Sequence, residues 1–300
     1  MEILSEKKSN ERESGLKIGA WVCGIDVVLI GFAAVASNSL AILSDFLKEI
    51  TDFSSMIAAF ITLRVASRPP TERFSYGIGK LENLVSLLIA GAMTISAISV
   101  IFHALKHFKN PEPLSGALLG ILIFSGYAVV GFFIYFRNKR ILKKTFSPII
   151  SAQANLWISK AIYDVIMAVS LSIAMNYAHF NWALYIDPIA SLVGAGILFY
   201  SAAAILSHSV GDLLDATLEE TLQIQILKEL VQYFDDYEHL YGIKARRSGS
   251  RIFVEISLSF EPHLLMKDVQ MRINKIQGSI KKALPDAEVS INLSNNPLVE

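Results

Sequence analysis

Long apolar stretches, separated by short polar joints, occupy the chain from Leu16 to about Ser207. Six of them contain the roughly 20 apolar residues that a helix needs to cross the hydrocarbon core of a bilayer. They lie at about Leu16–Ala36, Leu40–Val65, Leu81–Phe108, Leu114–Phe136, Pro148–Ala178 and Pro188–Ser207. The pattern predicts a polar N-terminal tail at 1–15 and a transmembrane domain of six helices at 16–208.

Turn-forming residues lie at the joints between these stretches. Asn-Ser at 38–39, Arg-Pro-Pro at 68–70 and Asn-Pro-Glu-Pro at 110–113 each interrupt the apolar pattern. Proline removes a backbone donor and disfavours helical conformation in the preceding residue, so these joints favour helix ends. We expect the sixth helix to open with Asp187 as its cap and Pro188 in its first turn.

The periodicity changes after Ser207. The segments Leu218–Tyr233 and Leu264–Ala283 show apolar residues at helical spacing, with charged residues between them. "RIFVEISLSF" at 251–260 alternates apolar and polar residues, as does "AEVSINL" at 287–293, and both read as strands. "YGIKARR" precedes the first of them and is a candidate hairpin partner. The pattern predicts a small α+β domain at 209–296.

Composition agrees with a membrane protein. The chain is 53% hydrophobic, only 18% of its residues are charged, and its mean hydropathy is +0.46. Its net charge is zero, so no global field favours nucleic acid as a partner. No nucleophile elbow, P-loop, CxxC or HExxH motif is present, so the sequence does not predict an enzyme.

The distribution of basic residues predicts the orientation in the membrane. Lysine and arginine cluster in the N-terminal tail and in the joints around 64–80 and 137–144, whereas the opposite joints carry little beyond Lys106 and Lys109. Basic joints stay on the cytoplasmic side. We therefore expect both termini in the cytoplasm, and the short joints suggest the inner membrane of a prokaryote.

Four ionisable residues interrupt the second apolar stretch. Asp45, Lys48, Glu49 and Asp52 follow one another at i, i+3, i+4 and i+7, which places them along one face of a helix. Ionisable groups inside a membrane are costly and usually face a partner or an aqueous cavity. The spacing therefore indicates a functional face on the second helix.

The fifth stretch repeats the same chemistry. "KEITD" at 48–52 is echoed by "KAIYD" at 160–164, each with lysine four residues before aspartate. We expect Lys160 and Asp164 to meet Lys48 and Asp52 between the second and fifth helices. Asn155 is a further candidate at the edge of this site, and Asp26 is a further acid within the first helix.

Several segments together resemble the cation diffusion facilitator family of proton-coupled divalent metal exporters. They are "SNSLAILSD", "RPPTERFSYGIGKLENL", "DPIASL", "VGDLLDAT" and "RRSGSRIFVEI". The resemblance covers almost the whole chain. It implies six transmembrane helices, a cytoplasmic αββαβ domain of ferredoxin-like type, a homodimer, protons as the counter-ion, and a divalent cation as cargo without a resident cofactor.

The resemblance also assigns residues. The family binds its metal with a His/Asp-x-x-x-Asp motif on the second and the fifth helix, which corresponds here to 48–52 and 160–164. Asp52 and Asp164 are thus the implied metal ligands, but lysine replaces the leading ligand twice, and a charged ammonium has no lone pair for a metal. Lys80 and Asp215 match a family charge pair at the hinge to the cytoplasmic domain.

Three functions stay open at this point. In the first, deprotonation of the lysines lets a cation replace them on the aspartates, with Glu49 or Asn155 adding oxygen, so that lysine carries the exchanged proton. Oxygen ligands favour harder ions such as Mn²⁺ or Mg²⁺. In the second, each lysine forms a neutral strut with its own i+4 aspartate, and the protein is a dimeric scaffold without transport. In the third, the cargo is a monovalent or organic cation.

Overall fold

The computed structural model describes residues 2–37, 40–66, 70–109, 117–177 and 179–294. Within these ranges, the side chains at 2–12, 14–15, 33–37, 40–45, 47–48, 117 and 119 are not described. The chain divides into two compact units, Met1–Val210 and Gly211–Glu300. The predicted joints at 38–39 and 110–113, and the first two residues of the joint at 68–70, lie outside the described residues.

Long α-helices form the first unit. They are α1 (Glu2–Ser37), α2 (Leu40–Ala66), α3 (Lys80–Lys109), α4 (Ala117–Leu142), α5 (Pro148–Asn176) and α6 (Ile186–Leu213). A short 3₁₀ turn at Asn181–Tyr185 leads directly into α6. The helix therefore begins before Asp187, which lies in its first turn and is not its cap, so that expectation is wrong.

Four stretches of the described residues are long and apolar enough to cross a membrane. They are Lys80–Lys109, Gly120–Leu142, Pro148–Asn176 and Asn181–Leu213, which correspond to the third to sixth predicted spans. The helices α1 and α2 are as long as these, but α2 carries the ionisable face at 45–52 within its length.

The core of the first unit lies between the helices α2, α3, α4 and α5. Met56 and Leu63 from α2 pack with Ile89 from α3, Ile134 from α4 and Ile149 from α5, and each is at most 1% exposed. α1 runs antiparallel to α2, because Gly19 lies beside Met56 while Gly31 lies beside Phe46. Close helix approach at small residues is typical of membrane bundles.

A buried hydrogen bond fixes the start of α5, the helix that carries Lys160. Ser147 precedes Pro148, which occupies the first turn, but its hydroxyl does not cap its own helix. It donates instead to Glu82 of α3 at 2.5 Å, and both residues are at most 1% exposed. A buried carboxylate with a committed donor holds its position strongly. The bond therefore ties the beginning of α5 to that of α3.

The second unit has the predicted αββαβ order. It comprises α7 (Glu220–Val231), β1 (His239–Ser248), β2 (Arg251–Ser259), α8 (Met266–Ala283) and β3 (Ala287–Leu293). In sheet order β1-β2-β3, β1 pairs antiparallel and β3 pairs parallel with the central strand β2. This confirms the α+β prediction and the hairpin partner.

Apolar side chains of the central strand and both helices form the core of this second unit. Ile256 and Leu258 of β2 are 0% exposed and pack with Leu230 of α7 and Ile276 of α8. The hairpin between β1 and β2 turns at Gly249, which has φ 61°. Only glycine adopts that conformation without steric cost, so the turn chemistry agrees with the pairing.

Candidate functional site

An ion pair joins the second and fifth helices at the predicted site. The Lys160 Nζ of α5 donates to the Asp52 Oδ2 of α2 at 2.5 Å. The Asp52 side chain is 3% exposed and that of Lys160 is 23% exposed. The lysine of the motif at 160–164 thus contacts the aspartate of the motif at 48–52. The interhelical pair differs from the strut in which each lysine holds the aspartate of its own helix.

Helical spacing places an aromatic ring beside this lysine. Trp157 precedes Lys160 by three residues on α5, and the ammonium lies 5.9 Å from the ring centroid. Trp157 itself is 5% exposed. An aromatic face attracts a cation, and the attraction grows when water is excluded. The ring and Asp52 thus give the Lys160 ammonium two favourable contacts in this conformation.

A cavity of about 210 Å³ opens next to the pair, and all six helices contribute to its wall. Its described charged side chains are Asp26 of α1, Glu49 of α2, and Lys160 and Asp164 of α5, and Tyr127 of α4 and Tyr163 of α5 also line it. Mostly apolar and small side chains complete the wall, among them Cys23, Met93, Ser96, Phe124, Leu156 and Leu198. This is a polar chamber inside a membrane domain, of the kind that intramembrane charges usually face.

A second interhelical contact crosses this chamber between α1 and α4. The Tyr127 hydroxyl donates to the Asp26 Oδ1 at 2.5 Å. Hydrogen bonds to a charged acceptor are about twice as strong as neutral ones, so the bond orients the Asp26 carboxylate. Asp26 was predicted only as an isolated acid, and the structure brings it to the same chamber as Glu49 and Asp164.

The other predicted site residues have different outcomes. The side chains of Asp45 and Lys48 lie outside the described residues, so their expected place at the site stays a prediction. Glu49 lines the chamber. Asn155 is half-buried on α5 and does not line the chamber, and its backbone carbonyl accepts a hydrogen bond from Ser159.

Carboxylates outnumber lysines among the described lining residues of the chamber. Asp26, Glu49 and Asp164 line its wall together with the single lysine Lys160, which already contacts Asp52. The chamber therefore offers several oxygen atoms of the kind that hard cations prefer.

The chamber does not hold a ready-made metal centre in this conformation. Among the described residues, no three His, Cys, Asp or Glu side chains come close enough together to bind a metal ion. Asp52 and Asp164, the ligands expected from the sequence, are both present, but Asp52 contacts Lys160. Cation binding at these carboxylates therefore requires Lys160 to move away from Asp52.

The predicted charge pair of Lys80 and Asp215 stays a prediction, because its two residues belong to different units. Lys80 begins α3 in the first unit, and Asp215 follows α6 in the second. Asp215 has φ 57°, a conformation that costs most non-glycine residues free energy. Its carboxylate accepts a hydrogen bond from Arg246 of β1 at 3.0 Å. The contact fixes a strained residue directly after α6.

Sequence reasoning missed the partners Tyr127 and Trp157. Each lies in an apolar stretch where an aromatic residue looks like an ordinary membrane side chain. A signal for Trp157 was available, since it lies three residues before Lys160 on the same face. No comparable signal exists for Tyr127, because its contact depends on which faces of α1 and α4 meet.

Comparison with protein-family models identifies both units. The model described as "Cation efflux transmembrane domain" matches residues 16–214, which includes α1 and α2. The model described as "Cation efflux protein, cytoplasmic domain" matches residues 220–295. The first match alone covers more than half of the chain.

Curated relatives have similar lengths. A cation-efflux pump FieF from Klebsiella pneumoniae (strain 342) is 24% identical over 274 residues, covering 89% of this chain and 87% of the relative. The manganese efflux system protein MneS from Bacillus subtilis (strain 168) is 25% identical over 283 residues, covering 94% of each. A FieF from Escherichia coli O1:K1 / APEC is 22% identical over 262 residues, covering 87% and 85%.

Proposed function

We propose that this chain, which belongs to the cation diffusion facilitator family, exports a divalent cation in exchange for protons through the chamber between its second and fifth helices. The family matches make it a multi-pass membrane protein of the cation efflux type. The proposal adds the altered Lys/Asp site, the proton exchange, a homodimer, and cytoplasmic termini in a prokaryotic inner membrane.

One observation carries this proposal. A chamber lined by all six helices holds the carboxylates of Asp26, Glu49 and Asp164 beside the Lys160–Asp52 pair. Ionisable groups inside a membrane domain are costly and usually mark an ion or proton pathway. Carboxylates grouped in one chamber can hold either protons or a divalent cation. An antiporter exchanges these two occupants.

The ion pair suggests how the exchange proceeds. In one state, protonated Lys160 donates to Asp52 and the site holds no cation. In the other state, lysine has lost its proton, and the cation is held by Asp52 and Asp164 with Glu49 as a further oxygen donor. The proton that leaves lysine goes to water in the chamber, and it returns when the cation departs.

Magnitudes favour exchange over joint occupation. A divalent ion about 5 Å from a charged lysine is repelled by roughly 7 kcal/mol at an effective dielectric constant near 20. Removing the proton from a free lysine at pH 7 costs only about 4–5 kcal/mol, given a reference pKa of about 10.4. Once Lys160 has left Asp52, expelling the proton is therefore cheaper than keeping it beside the ion. Cation binding should release protons.

The test is cation-driven proton flux in liposomes that contain a pH-sensitive dye. Wild type is compared with Asp164→Asn and Lys48→Ala, with Mn²⁺, Zn²⁺ and Mg²⁺ as cargo. We expect Asp164→Asn to abolish flux and Lys48→Ala to change the number of protons moved per cation. Glu72→Gln, on the exposed loop before α3, is the control and should transport normally.

Three results would contradict parts of the proposal. Unchanged proton coupling in Lys48→Ala removes that lysine as a proton carrier. Flux with monovalent or organic cations alone assigns a different cargo. Wild-type protein that is folded and dimeric but moves no cation favours the scaffold function.

The scaffold remains the second candidate because of a specific feature. The Asp52 side chain is almost fully buried and contacts Lys160 directly, as a structural ion pair does. On that view, charge at the site holds α2 against α5, and the cytoplasmic domain binds a partner. Proton release during titration with Mn²⁺ or Zn²⁺ distinguishes the exporter from the scaffold, because a scaffold does not exchange protons for a cation.

A further inference from the structure

A groove of about 580 Å³ follows the seam between α1 and α2, apart from the chamber. Its wall is apolar along most of its length, formed mainly by Trp21, Ile25, Val28, Leu29, Phe53 and Ile57. Gly24 also lines the groove and has no side chain that could fill it. Trp21 is 73% exposed and Leu29 is 59% exposed, so these surfaces have no cover within the described residues.

The groove has one basic end. Lys17 is the single charged residue among its described lining residues, and it lies at the end where Phe60 contributes from α2. The guanidinium of Arg64 lies 5.6 Å from the centre of the Phe60 ring. Arg64 also donates to Glu13 at 3.3 Å. Among the described side chains, two cations and one carboxylate therefore give this end a net positive charge.

The groove has the length of one lipid leaflet. From Lys17 to Leu29, twelve residues of helix at about 1.5 Å each extend for about 18 Å. Half of a hydrocarbon core that is about 30 Å thick measures about 15 Å. The basic end therefore lies near the headgroups when the apolar wall lies among the acyl chains. Trp21 then lies near the interface, where tryptophan is enriched.

The geometry points to a binding groove for one acyl chain of an anionic phospholipid, with its phosphate beside Lys17 and Arg64. Lysine and arginine attract phosphate, and the attraction is selective for headgroups with net negative charge. With a cytoplasmic N-terminus, the basic end faces the leaflet that carries anionic lipid. The inference concerns a different part of the unit from the chamber and does not depend on cation export.

The test is native mass spectrometry of the delipidated full chain, titrated with phosphatidylglycerol or phosphatidylcholine. Wild type should retain phosphatidylglycerol more strongly. Lys17→Ala should weaken that binding by roughly fivefold, the ratio that corresponds to one basic side chain at an anionic surface, and leave phosphatidylcholine unaffected. Lys143→Ala, an exposed lysine after α4, is the matched control and should bind as wild type does.

A second variant tests the groove itself. Val28 is 57% exposed, so Val28→Trp fills the groove without disturbing the core, and it should reduce the binding of both lipids. Equal retention of both lipids by wild type, or equal weakening by Lys17→Ala and Lys143→Ala, would overturn the proposal. So would dissociation of a dimer by Val28→Trp at unchanged lipid binding, because a second copy would then occupy the groove.

Discussion

Replacing Lys160 with methionine removes the cation that contacts Asp52 and keeps a long side chain in the same place. The structure places the ammonium 2.5 Å from the Asp52 carboxylate, and the carboxylate is 3% exposed. After the substitution, a buried negative charge faces an apolar side chain. We expect the variant to lose much of its stability.

The magnitude follows from the burial of the pair. At 2.5 Å and an effective dielectric constant near 20, the attraction is about 7 kcal/mol. Desolvation of the two ions offsets most of this, so a buried pair contributes little compared with two apolar residues. Removing one partner is different, because the remaining charge keeps its desolvation cost. Such changes typically cost about 3–5 kcal/mol.

The comparison needs the second single variant and the double variant. Asp52→Leu alone should also cost about 3–5 kcal/mol, since it leaves the ammonium without its carboxylate. Lys160→Met combined with Asp52→Leu should recover most of the loss. The free energy of unfolding is measured by titrating bicelle-embedded protein with a denaturing detergent. Lys143→Met serves as the control for replacing an exposed lysine.

Additive effects of the two single substitutions would contradict this prediction. If the double variant is destabilised by the sum of the two single effects, the two side chains do not interact, and the pair does not hold α2 against α5. Near-zero effects of both single variants would also contradict the structure, because a buried carboxylate cannot lose its cation without cost.

Three further predictions concern other contacts. Tyr127→Phe should lower stability by about 1 kcal/mol in the same unfolding assay and cost nothing in an Asp26→Ala background, because one hydrogen bond is lost. Burial raises the pKa of Tyr237 above its ordinary value near 10. The stability that it contributes is complete below pH 10 and declines as the pH rises further, so pulse proteolysis of the full chain should show a smaller alkaline loss for Tyr237→Phe. At φ 57°, Asp215→Gly should stay within a few tenths of a kcal/mol of wild type, whereas Asp215→Val should cost about 1–2 kcal/mol in the same proteolysis assay.

Much of the fold could be predicted because its signals are local. Strand β3 occupies Ala287–Leu293, the same residues as the alternating segment, and α8 begins within two residues of its prediction. Apolar periodicity depends on neighbours along the chain, so a sequence contains it fully. The cap expected at Asp187 was wrong because a 3₁₀ turn runs into α6 and moves the helix start upstream.

The candidate site was predictable in its residue types and not in its pairing. Charges inside an apolar stretch identified Asp52 and Lys160 without a structure. The sequence placed the lysines and aspartates of both motifs together between the two helices. It left open which lysine contacts which aspartate, because that contact depends on the rotation of α2 against α5. The Tyr127–Asp26 hydrogen bond was unpredictable for the same reason, because the sequence of one helix does not specify which face of another helix it contacts.

The chamber distinguishes a transporter from a strut on physical grounds. A structural ion pair requires one acid and one base, and Lys160 and Asp52 already provide both. The chamber adds Asp26, Glu49 and Asp164, and Lys160 is its one lysine among the described lining residues. Additional carboxylates inside a membrane domain are costly for a purely structural role and are typical of an ion pathway. We therefore expect these acids to serve cation export, since the Lys160–Asp52 ion pair alone does not require them.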